Sequence, residues 1–341
     1  DIGNWTTASV TYMDHLFLDC GAFNQDITRW DTSSVEDMTS MFYSCSNFNH
    51  DISKFDVSKV KSFSNMFYNA VKFNNNNQPL DSSWDTSQVS FMQQMFQQAY
   101  AFNQPVGRWN VAKVENMYLM FGSASAFNQN ISKWDVSSVK NMNNMFEDAS
   151  KFNNYVGEWN TAQLTDYGDI FKSAPAFQAK YECVNSDYNS VDPATCKTVR
   201  SNYQYPLLTD DVFSSALAAC LTEAPADGNC KHLEYGPISN WNISSVTNFS
   251  SAFASESSFN GDLSKWDTKS ATSMKEMFFG ASLFNQNISS WVTSEVTDMS
   301  SMFSGAFTFD NYVGDWDTSK LDTNYGSIFQ SATAFHEKYE C

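Results

Sequence analysis

The chain has 341 residues, with 38 acidic against 20 basic side chains and a formal net charge of −18. That balance excludes a nucleic-acid partner, because phosphate neutralisation needs clustered Lys and Arg, and it disfavours docking on anionic lipid. Aromatic residues make up 16% of the chain, so core-forming material is ample, yet no run of about 18 apolar residues marks a membrane span. Four His with no clustered ligand set imply neither a cofactor nor a metal centre.

In chain order, the first predicted elements are copies of a single unit. Trp5, Trp30, Trp84, Trp109, Trp134 and Trp159 recur with Phe55 in the remaining slot, at spacings of 25 residues except for one of 29 between Phe55 and Trp84. Other columns keep step. Counting from Trp30, they are Val35 at +5, Met38 at +8, Phe42 at +12, Cys45 at +15 and Phe48 at +18. The +15 position is Ala in the later copies, from Ala70 to Ala174, and an aliphatic residue such as Ile27, Ile52, Ile131 or Val156 mostly sits three before the aromatic slot. The apolar offsets at 5, 8, 11, 12 and 15 have the three-to-four spacing of a helical or 3₁₀ side. The stretch from the second Phe to the Trp, as in Phe127–Trp134, lacks that period and is predicted to be a short strand. A unit this small cannot bury its own apolar face, so stacked copies must share one core. The fold class expected is therefore a repeat solenoid, leucine-rich-repeat-like, with one short parallel strand plus a helical or 3₁₀ segment per 25-residue coil.

An Asn follows the second Phe at Asn24, Asn49, Asn74, Asn103, Asn128, Asn153, Asn260 and Asn285. Stacked Asn side chains can bond backbone groups freed at tight corners, so this column is read as architecture. The Met column is read as core filler.

The first array spans 1–183 with seven copies and ends in Ala176–Cys183, whose sequence is repeated closely at Ala334–Cys341. Both last copies put Tyr in the Met column, at Tyr167 and Tyr325, as capping repeats would. Residues 184–235 form a linker, in which Leu208–Leu221 reads as a helix with Thr209 or Asp210 as N-cap and Pro225 beyond its end. Its predicted task is to cover the open apolar end of the second array, 236–341, four copies beginning at Trp241, Trp266, Trp291 and Trp316. Asp1–Trp5 enters the pattern midway without such a helix, so either the cap lies on preceding sequence or another subunit covers that end, and a fragment of a longer tandem array is the favoured expectation.

The run Phe23-Asn-Gln-Asp-Ile-Thr-Arg-Trp30-Asp-Thr-Ser-Ser-Val35, continuing through Met38 and Met41-Phe42 to Cys45, resembles the BspA-like surface-protein repeat. The likeness covers nearly everything except 184–235. It implies a leucine-rich-repeat-like unit exported to the cell surface, and it implies no catalytic residues.

Seven Cys leave one over. Cys183 and Cys341 are equivalent, so Cys341 should pair downstream as Cys183 pairs with Cys196. Cys183–Cys196 and Cys220–Cys230 are the preferred linker pairs among three connectivities. Cys20 and Cys45 share one column in adjacent coils, which leaves a disulfide and two small buried thiols as alternatives. Bridges in a linker point to an oxidising compartment, hence an extracellular or cell-surface location. Sequons place candidate glycans on Asn4, Asn130, Asn242, Asn248 and Asn287.

No nucleophile, metal or phosphate-binding motif is present, and the acid pairs fall on turns rather than in one cleft, so no enzyme is expected. The column after the Trp, including Asp31, Asp56, Asp85, Asp135, Asp267 and Asp317, reads as turn-forming. Asn110, Asn160 and Val292 interrupt it, which leaves only weak, diffuse calcium binding. The Thr column two after the Trp, interrupted by Val57, Val111 and Val136, reads as packing rather than as an ice-binding ladder. The function expected is a structural or adhesive surface protein, a subunit of a filament or coat, with other copies of itself, surface proteins or glycans as partners. The alternative is a recognition module binding a protein or glycan through one face.

Overall fold

Alternate backbone hydrogen bonding decides this architecture. The computed structural model describes residues 2–81, 83–184, 188, 190–200, 203–230, 234–321 and 327–339. In the copy that starts at Trp30, the N–H groups of Met38, Ser40, Phe42 and Ser44 donate to the carbonyls of Ser62, Ser64, Met66 and Tyr68 in the next copy, at 3.3, 2.8, 2.9 and 2.7 Å. The N–H groups in between, of Met41, Tyr43 and Cys45, turn back to the carbonyls of Met38, Ser40 and Phe42 at 3.2, 3.2 and 3.0 Å. Each interior N–H and C=O of this stretch therefore has a partner, half of them in the neighbouring copy.

Such a path needs left-handed residues at regular intervals. Ser40 and Ser44 have φ of 55° and 54°, and the same two positions recur as Asn65 and Asn69, Asn144 and Asp148, and Ser251 and Ser255. Asn, Asp, Ser and Gly tolerate this region better than branched residues do, and at the +14 position the second array turns to Gly280 and Gly305, with φ of 68° and 76°.

The expected leucine-rich-repeat-like solenoid, with a parallel strand and a helical segment in each coil, is overturned by this geometry. A residue with positive φ at every fourth position stops a helix. The three-to-four spacing that suggested one comes instead from consecutive turns closed by bonds from residue i to i−3. The segment expected as a strand, such as Phe127–Trp134, has no ladder; it closes by a bond from Trp134 N–H to the Ile131 carbonyl at 3.1 Å. Parallel pairing falls elsewhere, as isolated bridges that in the first unit lie seven residues after the Trp slot, running Tyr12–Asp37–Ser62–Phe91–Asn116–Asn141–Asp166. Among the described residues the one sheet has two strands, β1 (Tyr181–Glu182) antiparallel to β2 (Thr198–Val199).

Side-chain ladders fill the interior of each stack. Phe42, Phe67, Phe96, Phe121 and Phe146 follow one another at 5.5–5.8 Å between ring centroids. Within a copy each meets its partner column more closely, as Phe121 and Phe127 do at 3.8 Å. All are fully buried, and each ring contributes about 1.5–3 kcal/mol through burial. The Trp column adds a polar tie: the Trp134 Nε1–H donates to the Val106 carbonyl at 3.0 Å and that of Trp266 to the Ile238 carbonyl at 2.9 Å.

The chain divides into two compact units, Asp1–Tyr203 and Gln204–Cys341. The copies of the first unit end in helix α1 (Pro175–Lys180), followed by β1 and β2. The second unit opens with α2 (Asp210–Glu223), for which Thr209 is the N-cap residue without a side-chain cap bond. Phe213 of α2 stands edge-on to Trp241, Phe249 and Trp266 at 6.2, 5.2 and 6.0 Å, covering the first rings of that stack. The unit closes with α3 (Thr333–Tyr339), whose Phe335 stacks on Phe329 at 4.0 Å.

Candidate functional site

Most of the polar side chains that could do chemistry are tied into backbone turns. At up to three positions in a copy an Asp or Asn has an Oδ1 that accepts the N–H two residues on. Around Trp30 these are Asp26 with Thr28, Asp31 with Ser33 and Asp37 with Thr39, at 2.9, 3.0 and 2.8 Å. Around Trp134 they are Asn130 with Ser132, Asp135 with Ser137 and Asn141 with Asn143. The hydroxyl and backbone N–H of the Ser two residues on hold Asp31, Asp56, Asp135 and Asp262 below the ordinary carboxylate range. Among the described residues no three His, Cys, Asp or Glu side chains stand close enough together to hold a metal ion.

The Asn column does a second backbone task. Asn24 Oδ1 accepts the N–H of Asn49, Asn49 that of Asn74, Asn74 that of Asn103 and Asn103 that of Asn128, at 3.1, 2.8, 2.9 and 2.8 Å. The Thr column faces inward. Thr32, Thr86, Thr268 and Thr293 are buried, and each hydroxyl donates to a carbonyl of the next copy at 2.9–3.0 Å. A surface ladder of Thr is therefore absent from these positions.

The linker cysteines are joined as Cys183–Cys196 and Cys220–Cys230. Cys20 and Cys45 are both free, the first exposed and the second buried. Cys45 donates its S–H to the Phe17 carbonyl at 3.0 Å, and burial, with Cys20 beside it, pushes its thiol up to about 12. Cys341 and Tyr325 lie outside the described residues. Of the sequon residues, Asn4, Asn242, Asn248 and Asn287 are exposed and Asn130 is half-buried. Asn130 and Asn287 accept the hydroxyl of their own sequon Ser, Ser132 and Ser289, at 2.7 and 2.8 Å.

One cleft went unread in the sequence. It has a volume of 440 Å³ and lies between α2 and the first copy of the second unit, with Phe213, Leu217 and Leu221 on one wall and Ser250, Ala252 and Ala254 on the other. The predicted capping helix was the available signal. A helix laid across an unpaired copy edge cannot match it group for group, so space must remain.

Matches to known families follow the same divisions. Residues 1–83, 76–184 and 225–340 each match the family described as "Mycoplasma protein of unknown function, DUF285". The chain belongs to this family. The first two DUF285 matches meet at 76–83, inside the insertion that stretches the spacing between Phe55 and Trp84 to 29 residues. There Asn75, Asn76 and Asn77 are all left-handed, and the buried Asn75 Oδ1 accepts the Ile52 N–H at 2.8 Å. Residues 185–224, between the second and third matches, contain all of α2 and one half of each disulfide, Cys196 and Cys220. No curated protein matches the chain.

Proposed function

We propose that this chain is a non-enzymatic structural or adhesive element of an extracellular surface, of the kind that the BspA-like resemblance implies. The observation that carries the reading is the recurrent use of acidic and amide side chains in backbone turns, up to three in a copy, which leaves the carboxylates spread along the arrays instead of gathered in a cleft. Ion pairs add lateral regularity: Lys140 meets Glu115 at 2.7 Å and Lys320 meets Glu295 at 2.7 Å, each across one 25-residue step. Such pairs are solvent-exposed and each is worth little alone, but their repetition makes one copy's surface resemble the next. That suits contacts with other copies of itself, with surface proteins or with glycans. Two disulfides suit an oxidising compartment, and among the described residues no helix is long and apolar enough to cross a membrane. Calcium, if taken up by the exposed Asp columns, binds weakly and diffusely.

Electron microscopy of the native material, with non-reducing gels and glycosidase treatment alongside, tests the proposal. Filaments, sheets or covalent oligomers that collapse on reduction are expected. Monodisperse particles that bind one soluble ligand tightly at a single patch would replace this reading with that of a recognition module.

A further inference from the structure

Between neighbouring inner copies, N–H groups at +8, +10, +12 and +14 from the Trp slot donate to carbonyls at +7, +9, +11 and +13 of the copy that follows. In the second unit the N–H groups of Phe249, Ser251, Phe253 and Ser255 reach Ser273, Lys275, Met277 and Phe279 in this way, at 2.9, 2.8, 2.8 and 2.6 Å. The first copy of this unit has no copy before it within the unit. Its own acceptor row, the carbonyls of Asn248, Ser250, Ala252 and Ala254, takes no backbone N–H from any described residue.

Helix α2 occupies the place of the missing neighbour and imitates part of it. Asp210 accepts the N–H groups of Thr247 and Asn248 through Oδ1, at 2.8 and 3.1 Å, and the Thr247 hydroxyl through Oδ2 at 2.6 Å. In inner copies the corresponding N–H, that of Lys61 for example, goes to a carbonyl of the preceding copy, Glu36. The helix cannot serve the rest of the row, because its interior N–H groups are spent on its own carbonyls four residues back. What remains is the 440 Å³ cleft, lined by the four acceptor residues on one side and by Phe213, Leu217 and Leu221 on the other. Its volume falls within the ~300–1,000 Å³ of ordinary ligand sites.

We propose that this cleft binds a peptide segment that presents backbone N–H groups at alternate residues to Asn248, Ser250, Ala252 and Ala254. Every inner copy of the same unit edge takes that kind of donor, so backbone complementarity selects a peptide over other occupants. The apolar wall of α2 accepts the small or apolar side chains between the donors, in the manner of a strand added to an open edge. The half-buried Glu256 at the rim favours a basic residue there. The site does not depend on whether the chain assembles on a surface, so failure of one reading leaves the other standing.

The test titrates the full chain with a synthetic peptide of the sequence Thr272–Ala281, whose Met274, Glu276, Phe278 and Gly280 N–H groups are the donors in the intact stack, at 2.8–2.9 Å. Amide chemical shifts report the contact. Saturable shifts confined to Asn248–Glu256 and α2 are expected. N-methylation at the four donor positions should weaken binding by about tenfold or more, since several hydrogen bonds of ~0.5–1.5 kcal/mol are lost. Methylation at the Lys275, Met277 and Phe279 positions should leave most of the affinity. Ala218→Trp, from an exposed cleft residue of α2, should block binding without changing the melting temperature, and Ser214→Trp serves if that variant fails to fold. Absence of shifts at the peptide's solubility limit would overturn the proposal. Equal binding by the donor-methylated peptide, or full binding by both folded Trp variants, would overturn it too.

Discussion

Asn128 holds the copy that follows it through its side chain: Oδ1 accepts the backbone N–H of Asn153 at 3.0 Å. The same oxygen accepts the Nδ2–H of Asn154 at 2.7 Å. Asn153 occupies the same column one step on, but its own Oδ1 is buried without a partner, because the next stretch of chain turns into α1. Asn128→Ala should therefore cost about 1–3 kcal/mol, the penalty for stranding a buried donor, whereas Asn153→Ala should be nearly neutral. Thermal melts of the two variants side by side check this; equal losses would show that the column works through packing alone.

The Trp column allows a similar comparison. Trp134 donates from Nε1 to the Val106 carbonyl at 3.0 Å, but the Trp109 Nε1 is buried with no acceptor. The insertion before Trp84 explains the difference. There the Trp84 N–H bonds four residues back, to the Leu80 carbonyl at 3.2 Å, whereas the Trp109 and Trp134 N–H groups bond three residues back, to Val106 and Ile131, so the carbonyl row that would meet the Trp109 indole is out of register. Replacing either Trp by Phe, the residue present at Phe55, removes similar apolar area. Trp134→Phe should be the more destabilising by about 1 kcal/mol, read as a difference in urea midpoints.

Cys20 and Cys45 should differ sharply toward alkylation. The Cys45 thiol is buried and pushed up to about 12, so at pH 8 almost none of it is the reactive thiolate. Brief iodoacetamide treatment of the native chain followed by peptide mass mapping should find Cys20 modified and Cys45 untouched. Protection of both would instead indicate a bridge between them. Cys45→Ala should fold normally, since Ala70, Ala99 and Ala124 fill the same column.

Acid should loosen the turns in a defined direction. Asp31, Asp56, Asp135 and Asp262 have carboxyls held low by the Ser hydroxyl and N–H two residues on. A carboxylate whose folded value lies below its unfolded value of ~3.9 stabilises the fold above that pH and loses the contribution as pH falls through the folded value. Melting temperature should thus be flat from neutral pH to about pH 5 and drop below about pH 4. Replacing these four Asp by Asn, which Asn110 and Asn160 already are in the column of Asp31, Asp56 and Asp135 and Asn130 and Asn287 in that of Asp262, should flatten the acid limb. A drop of unchanged size in the quadruple variant would assign acid sensitivity to other groups.

What the sequence by itself determined is the period and the identity of each column, because burial is periodic and leaves its mark on residue type. Trp, Phe, Met and the small +15 residue recur where the ladders stack, and Asp and Asn recur where the turns close. The conformation linking those columns was decided only by the tertiary structure. An apolar residue every three or four positions records which side chains point inward, and a helix and a run of left-handed turns both produce that record. Choosing between them depends on where alternate N–H groups go, and half of them go to another copy 24 residues away. The inward Thr column and the cleft under α2 have the same origin, since each exists through a neighbour, present in one case and replaced by a helix in the other.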